Sequence, residues 1–312
     1  MRRIVEADTV QIEVTNACHL ACSNCTRLVG HIRKPFMMDL ETFGRAVDSM
    51  KDFPKMVGIM GGEPLLHPQF EQICERALAT IPRERLGLWS SFPDGREHYR
   101  DLICKTFGQV FLNDHSREDI RHCSVLVGAE EAIPDEREMW LVIDQCWLQN
   151  AWSPSINPRG AFFCEIAAAM AMLFDEPDDR AWPVEDKWWM RVPFQYADQM
   201  EKWCRRCGCA LPFGRRVSTE GKDDMSPLNV ERLADKSRRV AAGDFVVCDM
   251  VPVAELEPMF QYKEDWFRDR VAAKYGLFLT VTDKQFLEPH LMHRWDRGRE
   301  SLFNSFRAKY GT

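Results

Sequence analysis

Apolar positions along the chain come in short runs separated by amphipathic stretches. TVQIEV (9–14), MVGIM (56–60), LGLWS (86–90), QVFLN (109–113), SVLVG (124–128) and MWLVID (139–144) each read as a buried strand. Between the first two, Leu40, Phe43, Val47 and Met50 recur at helical spacing, and 68–81 and 95–107 read as further helices. Strands that alternate with helices pair in parallel through right-handed crossovers, so residues 1–144 are expected to form an α/β sheet or partial barrel covered by helices. In such folds chemistry sits in the loops beyond the strand C-termini.

After residue 144 the rhythm stops. Residues 145–250 are rich in Trp, Cys and Pro, with one clear helix near 164–174, and suit a small metal-stapled unit. Helices are expected at 228–241, 253–275 and 297–309, the last two mainly within a C-terminal helical extension, 251–312. A chain of 312 residues can bury a substantial core. Its formal charge of −7 comes from interspersed acids and bases, which leaves no global basic field for nucleic acid or an anionic membrane. The basic stretch HRWDRGR (293–299) reads as a solvated tail. No apolar run reaches the roughly 20 residues that span a bilayer, and MRRIVEADTV has no signal-peptide core, so the expected location is the cytoplasm.

In a reducing compartment the twelve cysteines point to metal ligation before disulfides. Cys18, Cys22 and Cys25 form C-x3-C-x2-C directly after the first strand. Three thiolates can bind zinc with a fourth ligand such as His19 or His31, or a cubane iron–sulfur cluster with one iron left open for a ligand. The second strand ends in MGGEPLLHP (60–68), where Gly61 and Gly62 permit close approach to the backbone and Glu63 can receive an amino group.

With those two motifs one crossover apart, residues 8–144 resemble the radical S-adenosylmethionine superfamily. The resemblance implies a partial (β/α)6 barrel in which Cys18, Cys22 and Cys25 hold a [4Fe–4S] cluster. The fourth iron would take the amino and carboxylate groups of S-adenosylmethionine, with Gly61, Gly62 and Glu63 at its methionine end. Ser90 and Ser91 after the third strand, Asn113 and His115 after the fourth, and Gly128 after the fifth would face the same ligand. The family usually has an aromatic residue before the third cysteine; here that position is Asn24.

A second group, Cys146 and Cys164 with Cys204 and Cys207 of WCRRCGC, makes a four-thiolate set for zinc or iron–sulfur, with Cys209 as an alternate ligand. It resembles the twitch version of the SPASM extension, which implies an auxiliary [4Fe–4S] cluster. Cys74, Cys104 and Cys123 read as buried small apolar residues. Cys248 reads as core or as a hydrogen-atom donor to a substrate radical.

The resemblance further implies an external one-electron donor of flavodoxin or ferredoxin type and reductive cleavage of S-adenosylmethionine to a 5′-deoxyadenosyl radical. That radical would abstract hydrogen from a small polar substrate such as a sugar, cyclitol or nucleoside. Net oxidation is favoured, with epimerisation or rearrangement as alternatives. A non-catalytic iron–sulfur electron carrier and a zinc-stapled binding module are the readings from other classes, and the acidic balance argues against direct nucleic-acid binding.

Overall fold

The computed structural model describes residues 1–144, 146–150, 154–211, 213–248 and 279–280. Four strands, β1 (Thr9–Thr15), β2 (Met56–Gly61), β3 (Leu86–Ser90) and β4 (Gln109–Leu112), lie side by side in parallel. Helices α1 (Leu40–Ser49), α2 (Phe70–Thr80) and α3 (Arg100–Thr106) make the crossovers. Asp39 starts α1 by accepting the Thr42 N–H at 2.8 Å.

The period-2 alternation of β1 divides its buried residues between two environments. Val10, Ile12 and Val14 join the main core with Val57, Ile59, Leu86 and Leu88. Gln11 and Glu13 contact a buried polar network instead. Next along the sheet, Met60, Trp89 and Phe111 form a small separate cluster. The Trp89 and Phe111 rings stack at 4.1 Å. Gly58 and Gly87 make room for it: a Cβ on either would lie within 3 Å of the Trp89 ring, at 2.5 and 2.9 Å.

Two predicted strands are corrected. Apart from a bridge between Leu126 and Met225, SVLVG (124–128) joins no sheet, although Val125, Leu126 and Val127 are buried. Beyond the short strand β5 (Arg121–His122) and the turn of helix α4 (Ala129–Ala132), MWLVID forms the end of α5 (Glu136–Asp144). There Met139, Val142 and Ile143 are buried while Leu141 is 57% exposed, which is helical spacing that a six-residue window hides.

The sheet gains two other strands. β6 (Ser155–Asn157) pairs parallel with the free edge of β1, and β7 (Gly160–Phe162) returns antiparallel to it. Helix α6 (Glu165–Phe174) follows as expected, then α7 (Ala197–Trp203). A two-residue ribbon forms between β5 and β8 (Arg216–Val217), and β9 (Asp223–Met225) precedes α8 (Pro227–Arg232). The helix expected over 228–241 is broken: Ser237 caps a separate α9 (Arg238–Ala242), and β10 (Phe245–Val247) pairs with β9. At the other sheet edge β11 (Leu279–Thr280) pairs antiparallel with β4. The helices expected at 253–275 and 297–309, and the extension assigned to 251–312 apart from β11, lie outside the described residues. Among the described residues no helix is long and apolar enough to cross a membrane.

Candidate active site

The loop after β1 carries Cys18, Cys22 and Cys25, and the turn after β2 is pressed against its start. Gly62 N–H donates to the Thr15 carbonyl at 2.8 Å and Glu63 N–H to that of Ala17 at 2.7 Å. A Cβ on Gly61, whose φ is +148°, would sit 2.0 Å from the Thr15 oxygen, and one on Gly62 would sit 2.3 Å from the Ala17 oxygen. The close approach these glycines permit is therefore first of all between the two loops.

Glu63, buried to 1% exposure, accepts from Ser90 Oγ at 2.7 Å, Ser91 N–H at 2.8 Å, Ser91 Oγ at 2.5 Å and Leu65 N–H at 3.2 Å. Its carboxylate is thus held in place by donors from the second and third βα loops.

One cavity brings most of the expected residues together. Cys18, Cys22 and Cys25 line it with Gly61, Gly62 and Glu63, and Ser91, Asn113 and His115 complete that wall. Ser90 is outside the lining and acts on it through Glu63. Gly128 and Cys248 are placed elsewhere. Gly128 N–H donates to Ser226 Oγ at 3.0 Å, and Cys248, after β10, packs on an outer apolar cluster around Val127 and Ile143.

The donors fit an iron–sulfur cluster by their chemistry. Burial pushes all three loop thiols up, Cys18 to about 12, so they stay protonated until a metal replaces the proton. Among the described residues no three His, Cys, Asp or Glu side chains surround a single ion position. A cluster takes each thiolate on its own iron. Two buried polar atoms of cavity-lining residues, Asn113 Oδ1 and His115 Nε2, have no hydrogen-bond partner, which fits a polar ligand beside that cluster.

Sequence reasoning missed what holds this loop. Asn24, in the left-handed region at φ 50°, is buried: its N–H donates to Asp223, its Nδ2 to Asp224 at 2.6 Å, and its Oδ1 accepts from Asp224 N–H at 2.8 Å. Asp223 also meets His31 at 2.5 Å and Arg239 at 2.6 Å, and Arg239 donates to the carbonyls of Ala21 and Cys22. Burial alone would raise the Asp223 carboxyl; His31, Arg239 and the Asn24 N–H hold it below the ordinary carboxylate value. Where the family places an aromatic side chain, Asn24 ties the loop to β9.

A second buried network adjoins the cavity. Arg27 donates to Glu13 at 2.8 Å and to Glu165 at 3.2 Å, while Gln11 donates to Glu165 at 2.6 Å and Ser155 to Glu13 at 2.7 Å. Burial raises the Glu13 carboxyl in spite of Arg27. Arg27 and Glu165 both line the cavity, and Glu165 directly follows Cys164 at the start of α6.

Cys146, Cys164, Cys204 and Cys207 come within electrostatic reach of one another: burial, then the other three thiols, pushes Cys204 well up, and burial with Cys207 and Cys164 raises Cys146. Cys209, the alternate ligand, has its Sγ 3.2 Å from that of Cys123, and Cys123 lines the main cavity. A cysteine that reads as plain core thus borders the site.

Comparison with curated proteins gives no match. Two similar solved structures are those described as BtrN in complex with AdoMet and 2-DOIA, and selenomethionine BtrN in an open conformation. The first is 13% identical with a TM-score of 0.43, covering 64% of this chain and 92% of that one. The second is 15% identical with a TM-score of 0.40, covering 66% and 91%. Residues 12–107, which hold both the cysteine loop and the glycine turn, match the family model of the Radical SAM superfamily.

Proposed function

We propose that the chain is a radical S-adenosylmethionine enzyme that removes hydrogen from a small polar substrate, with net oxidation as its outcome. The observation that carries this reading is the one cavity shared by Cys18, Cys22 and Cys25, the Gly61–Gly62–Glu63 turn and the unpartnered polar atoms of Asn113 and His115. When bound, the [4Fe–4S] cluster would supply the electron that cleaves S-adenosylmethionine to a 5′-deoxyadenosyl radical.

The chain's own part is to bind and to exclude. Cys18, Cys22 and Cys25 hold the iron, Glu63 receives the methionine ammonium, and Asn113 and His115 accept from the nucleoside. Met60 and Trp89 line the cavity as an apolar wall, backed by Phe111 stacked on Trp89, that keeps water from the reacting carbon. Arg27 and Glu165 offer a cation and an anion to the hydroxyl or amino groups of the substrate. Cys146, Cys164, Cys204 and Cys207 would hold an auxiliary [4Fe–4S] cluster, which would supply an acceptor for the second electron, in a unit spanning 145–250. An external flavodoxin- or ferredoxin-type donor supplies the first electron.

The test is anaerobic reconstitution followed by dithionite and S-adenosylmethionine. Formation of 5′-deoxyadenosine is expected; its absence with the cluster intact and reduced sinks the reading in favour of a non-catalytic iron–sulfur protein. The Cys123 thiol at the cavity favours one second reading, epimerisation, in which it returns hydrogen to the substrate radical. Deuterium from solvent D2O at a product carbon would select it.

A further inference from the structure

Two segments far apart in sequence are stitched together where Cys123 meets the cavity. Gly208 N–H donates to the Val125 carbonyl at 3.0 Å, and a Cβ on Gly208 would sit 2.1 Å from the Ser124 oxygen, so only glycine admits this approach. Asn229, fully buried, closes the same seam by donating its Nδ2 to the carbonyls of Leu126 at 3.0 Å and Arg206 at 2.9 Å.

Cys123 and Cys209 flank that seam. Their sulfurs lie 3.2 Å apart across 86 positions of chain, and both are buried thiols outside any disulfide. A disulfide brings two sulfurs to about 2.05 Å, which leaves roughly 1.2 Å to close between segments that Gly208 and Asn229 already fix. The two partners have different surroundings. Cys123 lines the cavity, whereas Cys209 lies outside the lining and is anchored through its N–H to the Cys207 sulfur at 3.4 Å. A small oxidant that enters the cavity therefore meets Cys123 first, with the second thiol in contact with it.

We propose that Cys123 and Cys209 form a reversible disulfide, with Cys123 the sulfur that a peroxide oxidises and Cys209 the thiol that resolves it. Hydrogen peroxide transfers one oxygen to the Cys123 sulfur, giving a sulfenic acid and one water. The Cys209 sulfur then attacks: the S–S bond forms, the S–O bond breaks and a second water leaves. Two thiols thus lose two electrons and two protons, and peroxide is reduced to two waters. An external dithiol reverses the bond by exchange through a mixed disulfide. The bond takes the Cys123 thiol out of the cavity and ties the residue after β5 to the loop that carries Cys204 and Cys207. Oxidation at the cavity is thereby passed to the second cysteine group, and the bond itself needs neither a cluster nor S-adenosylmethionine.

To test this, the reconstituted holoenzyme is treated anaerobically with equimolar hydrogen peroxide, alkylated, digested without reductant and mapped by mass spectrometry, with iron counted before and after. The expected product is a peptide holding Cys123 joined to one holding Cys209, released by dithiothreitol, in chains that keep their iron. Alkylation of both thiols with no such link overturns the pairing. A link found only in chains that have lost iron overturns it too, since it then reports a dismantled site. Two variants test the order of events. In Cys209→Ser the sulfenic acid has no resolving thiol, so dimedone should label Cys123, whereas Cys123→Ser should show no label at Cys209. The opposite labelling overturns the assigned roles. Iron content in Cys209→Ser below that of wild type would make Cys209 a metal ligand and overturn its part as resolving thiol.

Discussion

At the scale of single residues, Glu63 is the site's most constrained group. Its two oxygens accept four donors, so Glu63→Gln sets an amide N–H against the Ser90 and Ser91 donors and leaves part of the set unpaired. Loss of about 1–3 kcal/mol is expected, read as a roughly fivefold to hundredfold fall in S-adenosylmethionine affinity with iron content unchanged. The buried pair His115 and His122 makes a pH prediction. Both rings titrate lower in the folded chain than the ordinary 6.5, so the unfolded chain binds more protons as pH falls below that value. Their contribution to stability is complete above about pH 6.5 and drains away in more acid solution; the urea midpoint should fall between pH 7 and 5.5, and less steeply in His122→Phe. The cysteines and the Gly-Gly-Glu turn were legible because each motif is contiguous. Arg27 and Cys123 were not, because their partners are chosen by the fold: Arg27 and Glu165 are 138 positions apart.

Among the elements, the first four strands and their helices were legible from periodicity, and the failures have physical causes. MWLVID is too short to separate a buried strand from a buried helix face. β6 and β7, three residues each, carry too little pattern to announce that they extend the sheet from β1. The cysteine loop is an element too, and its conformation depends on Asn24. Asn24→Tyr installs the aromatic type that the resemblance leads one to expect but places a bulky side chain at a left-handed backbone and removes the hold on Asp224. Iron retained per chain after gel filtration should fall, with a stability loss of about 1–3 kcal/mol. Gly61→Ala should be worse, since its Cβ meets the Thr15 carbonyl at 2.0 Å; an unchanged melting temperature would contradict the packing of β1 against β2.

For the molecule as a whole, the proposed function gives the two cysteine groups different work. Reconstituted wild type is expected to carry about eight irons, and Cys204→Ser with Cys207→Ser about four, while 5′-deoxyadenosine still forms. Retention of all the iron by the double variant would remove the auxiliary cluster from the proposal. The carboxylate that grips the cysteine loop lies far along the chain: Asn24 and Asp223 are 199 positions apart, and Arg239 reaches Ala21 across 218. On the ribosome the three thiols therefore emerge long before the segment that fixes their loop. Under the proposed function, iron delivery would thereby be ordered in time, with the thiols after β1 waiting for residues 218–240 before the loop can take its final shape. A nascent chain stalled short of Asp223 should take up iron poorly, and one stalled well past Arg239 should take it up as the released protein does.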